Sequence, residues 1–387
     1  MSNEILVGLD LGSTKIRCLV AEPNAEGGLN LMGVGSAPAT GVQNGLVTDL
    51  AGTAEAIQKA VKEAEIMSGQ SVSSVILSLA GGTVKSFMAE GAIAVSGSTI
   101  TKKDVDLAIK AANTALVANV PQGREVLSAK PLEYQVDDAP FSSAQPLGLK
   151  GARLAVKVLA LTGSNEAISN LVNCVLQAGL NVIAVVLDSM ATAEAVLTPE
   201  EKLSGVALLD IGQNFTDVTV YSEDQLRHTA VLSLGGKNLT YDLAQGLGLS
   251  SELAEKLKVG SDISDPDLSP LDRYVSLPPE EAAPPEKNNL SLVRQILADR
   301  VEEIFMVINQ ELTQRGLDER INGVVVTGGS SLLSDVPEIS QKVLAKPVRR
   351  GEATRVSGLP EIALDPGYAT AVGLCLLALN QGQSLSS

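Results

Sequence analysis

Apolar and polar positions along the chain follow one pattern that occurs twice. The apolar run Ile5 to Leu9 leads into Asp10-Leu11-Gly12-Ser13-Thr14-Lys15 and a second apolar run, Ile16 to Val20. Val206 to Leu209 leads into Asp210-Ile211-Gly212-Gln213-Asn214-Phe215-Thr216-Asp217 and then Val218 to Tyr221. Each reads as strand, tight turn, strand. The first copy continues with a strand, Leu29 to Val34, and an amphipathic helix, Gly52 to Ser68. Ala56, Ile57, Ala60, Val61 and Ala64 form the apolar face of that helix, and Thr53 is its expected cap. A buried strand, Val72 to Leu79, then ends in Ala80-Gly81-Gly82. The second copy continues with a strand, Leu226 to Leu234, then Gly235-Gly236 and a helix from about Lys237 to Gln245. Its buried strand, Val324 to Val326, ends in Thr327-Gly328-Gly329-Ser330. The duplication predicts two α/β lobes related by a pseudo-two-fold axis, with the ligand site in the cleft between them.

Each half carries an insertion. The first, about residues 85–161, contains strand signals at Phe87 to Val95, Arg124 to Val136 and Arg153 to Ala160. It also holds one helix, Lys102 to Ala118, whose start suits Thr101 and Asp104. The second insertion, about residues 247–316, holds a helix near Ser250 to Val259 and a long amphipathic helix, Ser291 to Arg315. Between them lies a Pro-, Asp- and Glu-rich loop, Gly260 to Asn289, expected to be mobile.

Composition narrows the function. The chain has 387 residues, room for two or three domains. Hydrophobic residues make up 45% but aromatics only 2%, so the core is Ala, Val, Leu and Ile packing. A formal charge of −16 without Lys/Arg clusters argues against nucleic acid. Cys18, Cys174 and Cys375 are widely spaced in apolar runs, with neither disulfide nor zinc spacing, which points to a reducing cytosolic setting. The N-terminus reads as an acidic strand rather than a signal peptide. The longest apolar stretch, Ala369 to Leu379, is too short to span a bilayer.

A hairpin turn with glycine at its bend exposes successive backbone N–H groups and makes an anion-binding concavity. At the first turn Gly12 supplies the bend, Ser13 and Thr14 add hydroxyls, and Lys15 adds a charge within reach of a β- or γ-phosphate. Asp10 ends the strand beside it, where a carboxylate can hold the water shell of Mg²⁺. The second turn is poorer. Gln213, Asn214 and Phe215 stand where glycine and threonine would serve better, leaving Gly212 and Thr216, and Phe215 restricts close approach. Asp210 is the second candidate partner for metal-bound water, and Asp217 reads as structural. Gly328-Gly329-Ser330 offers a flat surface for an adenine ring, or is simply a tight turn before a helix near Leu332. Gly236 is counted with the cofactor-binding residues. Glu255 and Lys258, one helical turn apart, either reach ribose hydroxyls or form a solvated face. Asp188, after the strand Ile183 to Leu187, either caps the helix Ser189 to Leu197 or orients a water for attack on a γ-phosphate. His228, the only histidine, reads as a packing or surface residue. No nucleophile elbow and no Walker-type phosphate loop is present.

These residues resemble the actin/Hsp70/sugar-kinase superfamily, and more closely the bacterial FtsA cell-division family. Val7 to Lys15, Val47-Thr48-Asp49, Ser78 to Gly82, Leu226 to Val231 and Tyr368 to Leu374 carry the likeness, which runs from about residue 4 to 380. It implies an actin-like (ribonuclease H-like) duplicated two-lobed α/β fold with an inserted FtsA-type 1C subdomain. The implied division is 1–84 as the first part of subdomain 1A, 85–162 as 1C and 163–204 as the second part of 1A. Residues 205–246 and 317–360 then form 2A, 247–316 forms 2B with its loop 260–289, and 361–387 is a 1A helix with a short polar tail. The resemblance further implies ATP and Mg²⁺ binding with weak or absent hydrolysis, self-assembly into filaments, and recruitment of FtsZ to the membrane at the division septum. It points to Arg294, Arg300 and Glu303 as the docking face for the FtsZ C-terminal peptide, and to 1C as the contact for a neighbouring subunit or later division proteins. Two departures stand out: the second phosphate turn, and the polar ending Asn380 to Ser387, where the family carries an amphipathic membrane helix. The membrane would then be reached through a missing tail or a partner, or not at all. A PilM-like adaptor of type IV pilus machinery and a sugar or acid kinase of the same superfamily are the alternatives.

Overall fold

The computed structural model describes residues 5–142, 144–260 and 288–385. Two sheets carry the duplication. The first has six strands in the order Asn181–Leu187, Ser74–Leu79, Leu6–Leu11, Lys15–Pro23, Leu29–Pro38, Val356–Gly358. The second has five, in the order Gln225–Leu232, Thr216–Ser222, Val206–Ile211, Gly323–Thr327, Val348–Arg350. In both, parallel strands extend an antiparallel meander beyond its first strand, and in the first sheet Val356–Gly358 adds another parallel strand beside Leu29–Pro38. The two leading hairpins share one register: Leu11 pairs with Ile16 and Asp10 with Arg17, while Ile211 pairs with Thr216 and Asp210 with Asp217. Strands such as Ser74–Leu79 and Val206–Ile211 are buried almost throughout, as parallel strands covered on both faces must be.

Helices Leu50–Ser68 and Asn165–Gln177 cover the outer face of the first sheet. Gly236–Leu247, Ser251–Gly260, Asn288–Gln314 and Val336–Leu344 pack with the second sheet around fully buried Phe305. Helices Asp188–Val196 and Ala369–Leu385 lie between the sheets and share a core with both, joining Leu19 and Leu29 to Val206, Leu208 and Val325. They cross so closely that a Cβ at Gly373 would stand 1.7 Å from the carbonyl oxygen of Ala191.

The inserted region forms a three-stranded antiparallel sheet, in the order Lys85–Ala94, Arg153–Ser164, Arg124–Val136, with helix Lys102–Asn119 packed on it. Thr101 and Asp104 close a capping box at that helix, as the sequence suggested. The insertion also touches the second lobe, where Glu133 meets Arg320 at 3.4 Å and Arg227 at 3.7 Å.

Several local expectations need correction. Asp49, not Thr53, caps the helix Leu50–Ser68. Its carboxylate accepts the Gly52 N–H at 3.1 Å, while the Thr53 hydroxyl inside the first turn donates to the Asp49 carbonyl. The chain after Gly328 makes only a short 3₁₀ turn, Gly329–Leu332, and the helix waits until Val336. Proline at the second helical position fits there because its missing N–H has no partner to lose. The acidic loop Gly260 to Asn289 lies almost wholly outside the described residues.

Candidate nucleotide cleft

The lobes enclose a cleft of about 870 Å³. Both hairpin turns face into it, Gly12 to Lys15 from one lobe and Gly212 to Phe215 from the other. Gly328, Gly329, Ser330, Glu255 and Lys258 line it from the second lobe, and Asp10, Asp188 and Asp210 line its floor. Two sequence candidates stand behind the wall. Thr216 is fully buried, with its hydroxyl donating to the Leu234 carbonyl at 2.8 Å. Gly236 backs the second turn, donating its N–H to the Gly212 carbonyl at 2.9 Å.

The turns differ in what they offer. The N–H groups of Ser13, Thr14, Gln213 and Asn214 make no hydrogen bond among the described residues. That leaves two matched pairs of donors of the kind that forms an anion nest. The Gly212 N–H is consumed inside its turn by the Phe215 carbonyl at 2.9 Å. The Phe215 ring crosses the cleft to the first lobe, where a Cβ at Gly82 would come 3.1 Å from its Cζ. Its bulk therefore closes one side of the cleft instead of filling the centre.

Four carboxylates converge on the floor. Burial raises Asp10, an effect opposed by the Arg17 charge and by the Ser78 hydroxyl, which donates to Oδ1 at 3.0 Å. Burial and then Asp10 push Asp210 up to about 6. Burial and then Asp210 push Asp188 up to about 8. Burial and then Asp188 hold Asp217 well above the usual carboxylate range, and its Oδ1 is enclosed without a hydrogen-bond partner. Two glycines let backbone press against these groups. Gly328 has φ +81°, and a Cβ there would lie 2.3 Å from Asp210 Oδ1; one at Gly81 would lie 2.0 Å from Asp217 Oδ1.

Like charges gathered in a low-dielectric cleft fit a cation. Among the described residues no group of three His, Cys, Asp or Glu side chains has the geometry to chelate an ion directly. A divalent ion here would take its ligands from water and from a bound phosphate, with Asp10 and Asp210 in the outer shell.

Asp188 is not a helix cap. It is the first residue of the helix, and its oxygens accept the N–H of Ser189 at 2.7 Å and of Gly81 at 3.0 Å. Lys258 is not extended toward the opening. It is buried, and its amino group donates to Glu255 at 2.8 Å, Thr240 at 3.0 Å, the Gly236 carbonyl at 3.1 Å and Gln213 at 3.2 Å. It braces the second turn against the helix, which leaves Glu255 as the group turned to the cleft.

Three candidates lie away from the cleft on helix Asn288–Gln314. Arg294 is exposed, and Arg300 is tied to Asp242 and, at 2.7 Å, to Glu303. His228 is buried, 3.0 Å from Glu311, in the packing role its sequence context suggested. Sequence reasoning missed Arg17 and took Asp217 for structural. The signal was present in the alternation, because the residue cross-strand from each cleft aspartate shares its face.

Residues 207–373 match the family profile described as cell division protein FtsA, and residues 81–162 match that of the SHS2 domain inserted in FtsA. Cell division protein FtsA of Pseudomonas aeruginosa is 31% identical, with 100% of this chain and 92% of that protein covered. FtsA of Borreliella burgdorferi is 33% identical, covering 97% and 91%. Among solved structures, the PilM-PilN type IV pilus biogenesis complex superposes with a TM-score of 0.69 at 18% identity, covering 97% of this chain and 98% of that one. MreB5 of Spiroplasma citri bound to ADP does so at 0.54 and 14%, covering 99% of each. These two likenesses establish a shared actin-like fold.

Proposed function

The chain belongs to the FtsA family of cell-division proteins, and from that premise we propose that it is an ATP-binding scaffold of the division septum. The observation that carries the nucleotide reading is the pair of glycine turns, in one register, that face each other over four clustered carboxylates. A triphosphate would lie between the turns, and Asp10 and Asp210 would hold the water shell of an accompanying Mg²⁺, which would offset the phosphate charge. Adenine rests on Gly328-Gly329-Ser330, and Glu255 takes the ribose hydroxyls. Turnover is slow or absent, because the second turn spends one donor on itself and carries Phe215 where small residues would surround a γ-phosphate.

The chain assembles into filaments and links the tubulin-like protein FtsZ to the membrane. The tail peptide of FtsZ docks on the helix bearing Arg294, Arg300 and Glu303, and the inserted region contacts a neighbouring subunit or later division proteins. Among the described residues no helix is long and apolar enough to cross a membrane. In this reading the family's division role puts the chain at the cytoplasmic face of the membrane, reached through an anchor or a partner.

Two measurements test this reading. Mg²⁺-ATP titrated into the purified chain should bind. Liposome pelleting with ATP, with and without FtsZ and a candidate anchor, should bring the chain down only with its partners. A turnover rate of about ten per second, ordinary for an enzyme, would favour the kinase alternative instead.

A further inference from the structure

We propose that the insertion is a lever on the hinge between the lobes, and that Glu133 is the residue through which it acts. The proposal does not depend on what the cleft binds.

Two segments carry the chain between the lobes, about residues 197–205 and 351–355. The first contains the short helix Pro199–Ser204. The insertion is rooted elsewhere, in the first lobe, where Arg124 donates to the Thr83 carbonyl at 2.8 Å and to the Thr162 carbonyl at 2.7 Å. Further along it lies against the second lobe. Strand Gln225–Leu232, an edge of the second sheet, touches both Lys85–Ala94 and Arg124–Val136. Glu133 supplies the charge at that contact. Its Oε1 faces Arg320 Nη2 at 3.4 Å and Arg227 Nη1 at 3.7 Å, and its Oε2 faces Lys157 of the insertion at 3.7 Å.

Both arginines lead to the first crossing segment. The Arg227 side chain is 4% exposed, and it also holds Glu223 and, at 3.2 Å, the Ser222 carbonyl. A guanidinium buried to that degree must keep its partners, because an uncompensated charge is costly. Glu223 and Asp224 form the hairpin turn beside it, with φ +56° and +58°. Their N–H groups donate to the Leu203 and Lys202 carbonyls at 3.0 Å and 2.9 Å. Arg320 presses on the same segment through its backbone. A Cβ at Gly205, where φ is +108°, would stand 2.0 Å from the Arg320 carbonyl oxygen, and the Asn322 N–H donates to the Gly205 carbonyl at 2.9 Å. Lys202 in turn pairs at 2.9 Å with Glu194, which also holds Arg355 of the second crossing segment. A continuous series of ion pairs and hydrogen bonds thus runs from Glu133 to both crossings. Close-packed contacts pass displacement on rather than absorb it. A partner that grips the insertion therefore shifts the lobes, and closing the lobes re-aims the insertion, because coupling between two sites is reciprocal.

The test is pulsed electron spin resonance, which reads distances between spin labels in the full chain. The three native cysteines are buried, so labels go on introduced ones. Lys59→Cys with Gln341→Cys, both at exposed positions, reports lobe to lobe. Ala118→Cys with Gln341→Cys reports insertion to second lobe. Glu133→Gln and Arg320→Ala should each change the ratio of open to closed lobes at least about fivefold. The double variant should change it no further than the larger single one, because both remove the same contact. Arg320 is 44% exposed, so its variant decides the matter if Glu133→Gln fails to fold. Lobe-to-lobe distances unchanged in these variants would overturn the proposal. So would a change confined to the insertion-to-lobe pair, since the insertion would then be fastened to the second lobe without moving the hinge. Additive effects in the double variant would overturn it as well.

Discussion

Replacing Asp217 by asparagine should stabilise the ligand-free chain at alkaline pH. Asp217 and Asp188 are half-buried with desolvated carboxyl groups, repel each other, and are both held above the ordinary carboxylate value of 3.8. A carboxyl whose folded pKa is raised binds its proton more tightly folded than unfolded. Its contribution is therefore intact below about pH 4 and is lost as pH rises through the folded value. For Asp188 that window runs from 3.8 to about 8. At about 1.4 kcal/mol per pH unit, the loss is at most about 6 kcal/mol, and it belongs to the cluster rather than to one residue. Asp217→Asn would keep the shape and remove one charge, so the wild-type decline between pH 5 and pH 8 should flatten by a few kcal/mol. Urea unfolding of both proteins at pH 5, 6, 7 and 8, without nucleotide or metal, measures the difference. Mg²⁺ with ATP should restore the wild type at pH 8 more than the variant. Parallel pH profiles would mean that the carboxylates do not share a low-dielectric site, and the floor described above would be wrong.

Other substitutions probe separate parts of the structure. The space in front of Gly329 is empty to 4 Å, so Gly329→Asp fills the adenine surface and should weaken ATP binding at least about tenfold in a titration. Lys15→Ala should weaken it less, since that side chain is exposed and screened. Gly373→Val would drive a branched side chain into the Ala191 carbonyl and should cost more than about 3 kcal/mol in chemical unfolding, if the chain folds at all. Arg294→Glu should weaken binding of an FtsZ tail peptide by fluorescence anisotropy. Arg300→Glu should do so too, and should also lower Tm because it breaks the Asp242 and Glu303 pairs.

The sequence alone determined the duplication. Two strand–turn–strand patterns ending in Asp-X-Gly, each followed by a buried strand closing in Gly-Gly, specify two matched sheets because period-two alternation and glycine turns are local properties. Thr101 and Asp104 are legible for the same reason, since a capping box is complete within four residues. The tertiary structure decided what those patterns face. Arg17 reads as one basic residue in an apolar strand until the hairpin register sets it across from Asp10. Asp217 reads as structural until its carboxylate meets Gly81 and Asp188 from the other lobe. Lys258 reads as a surface cation until Gln213, Thr240 and Glu255 close around it. Charge, burial and hydrogen bonding at these positions come from segments as far apart in sequence as Arg17 and Tyr368, and no local window contains that information.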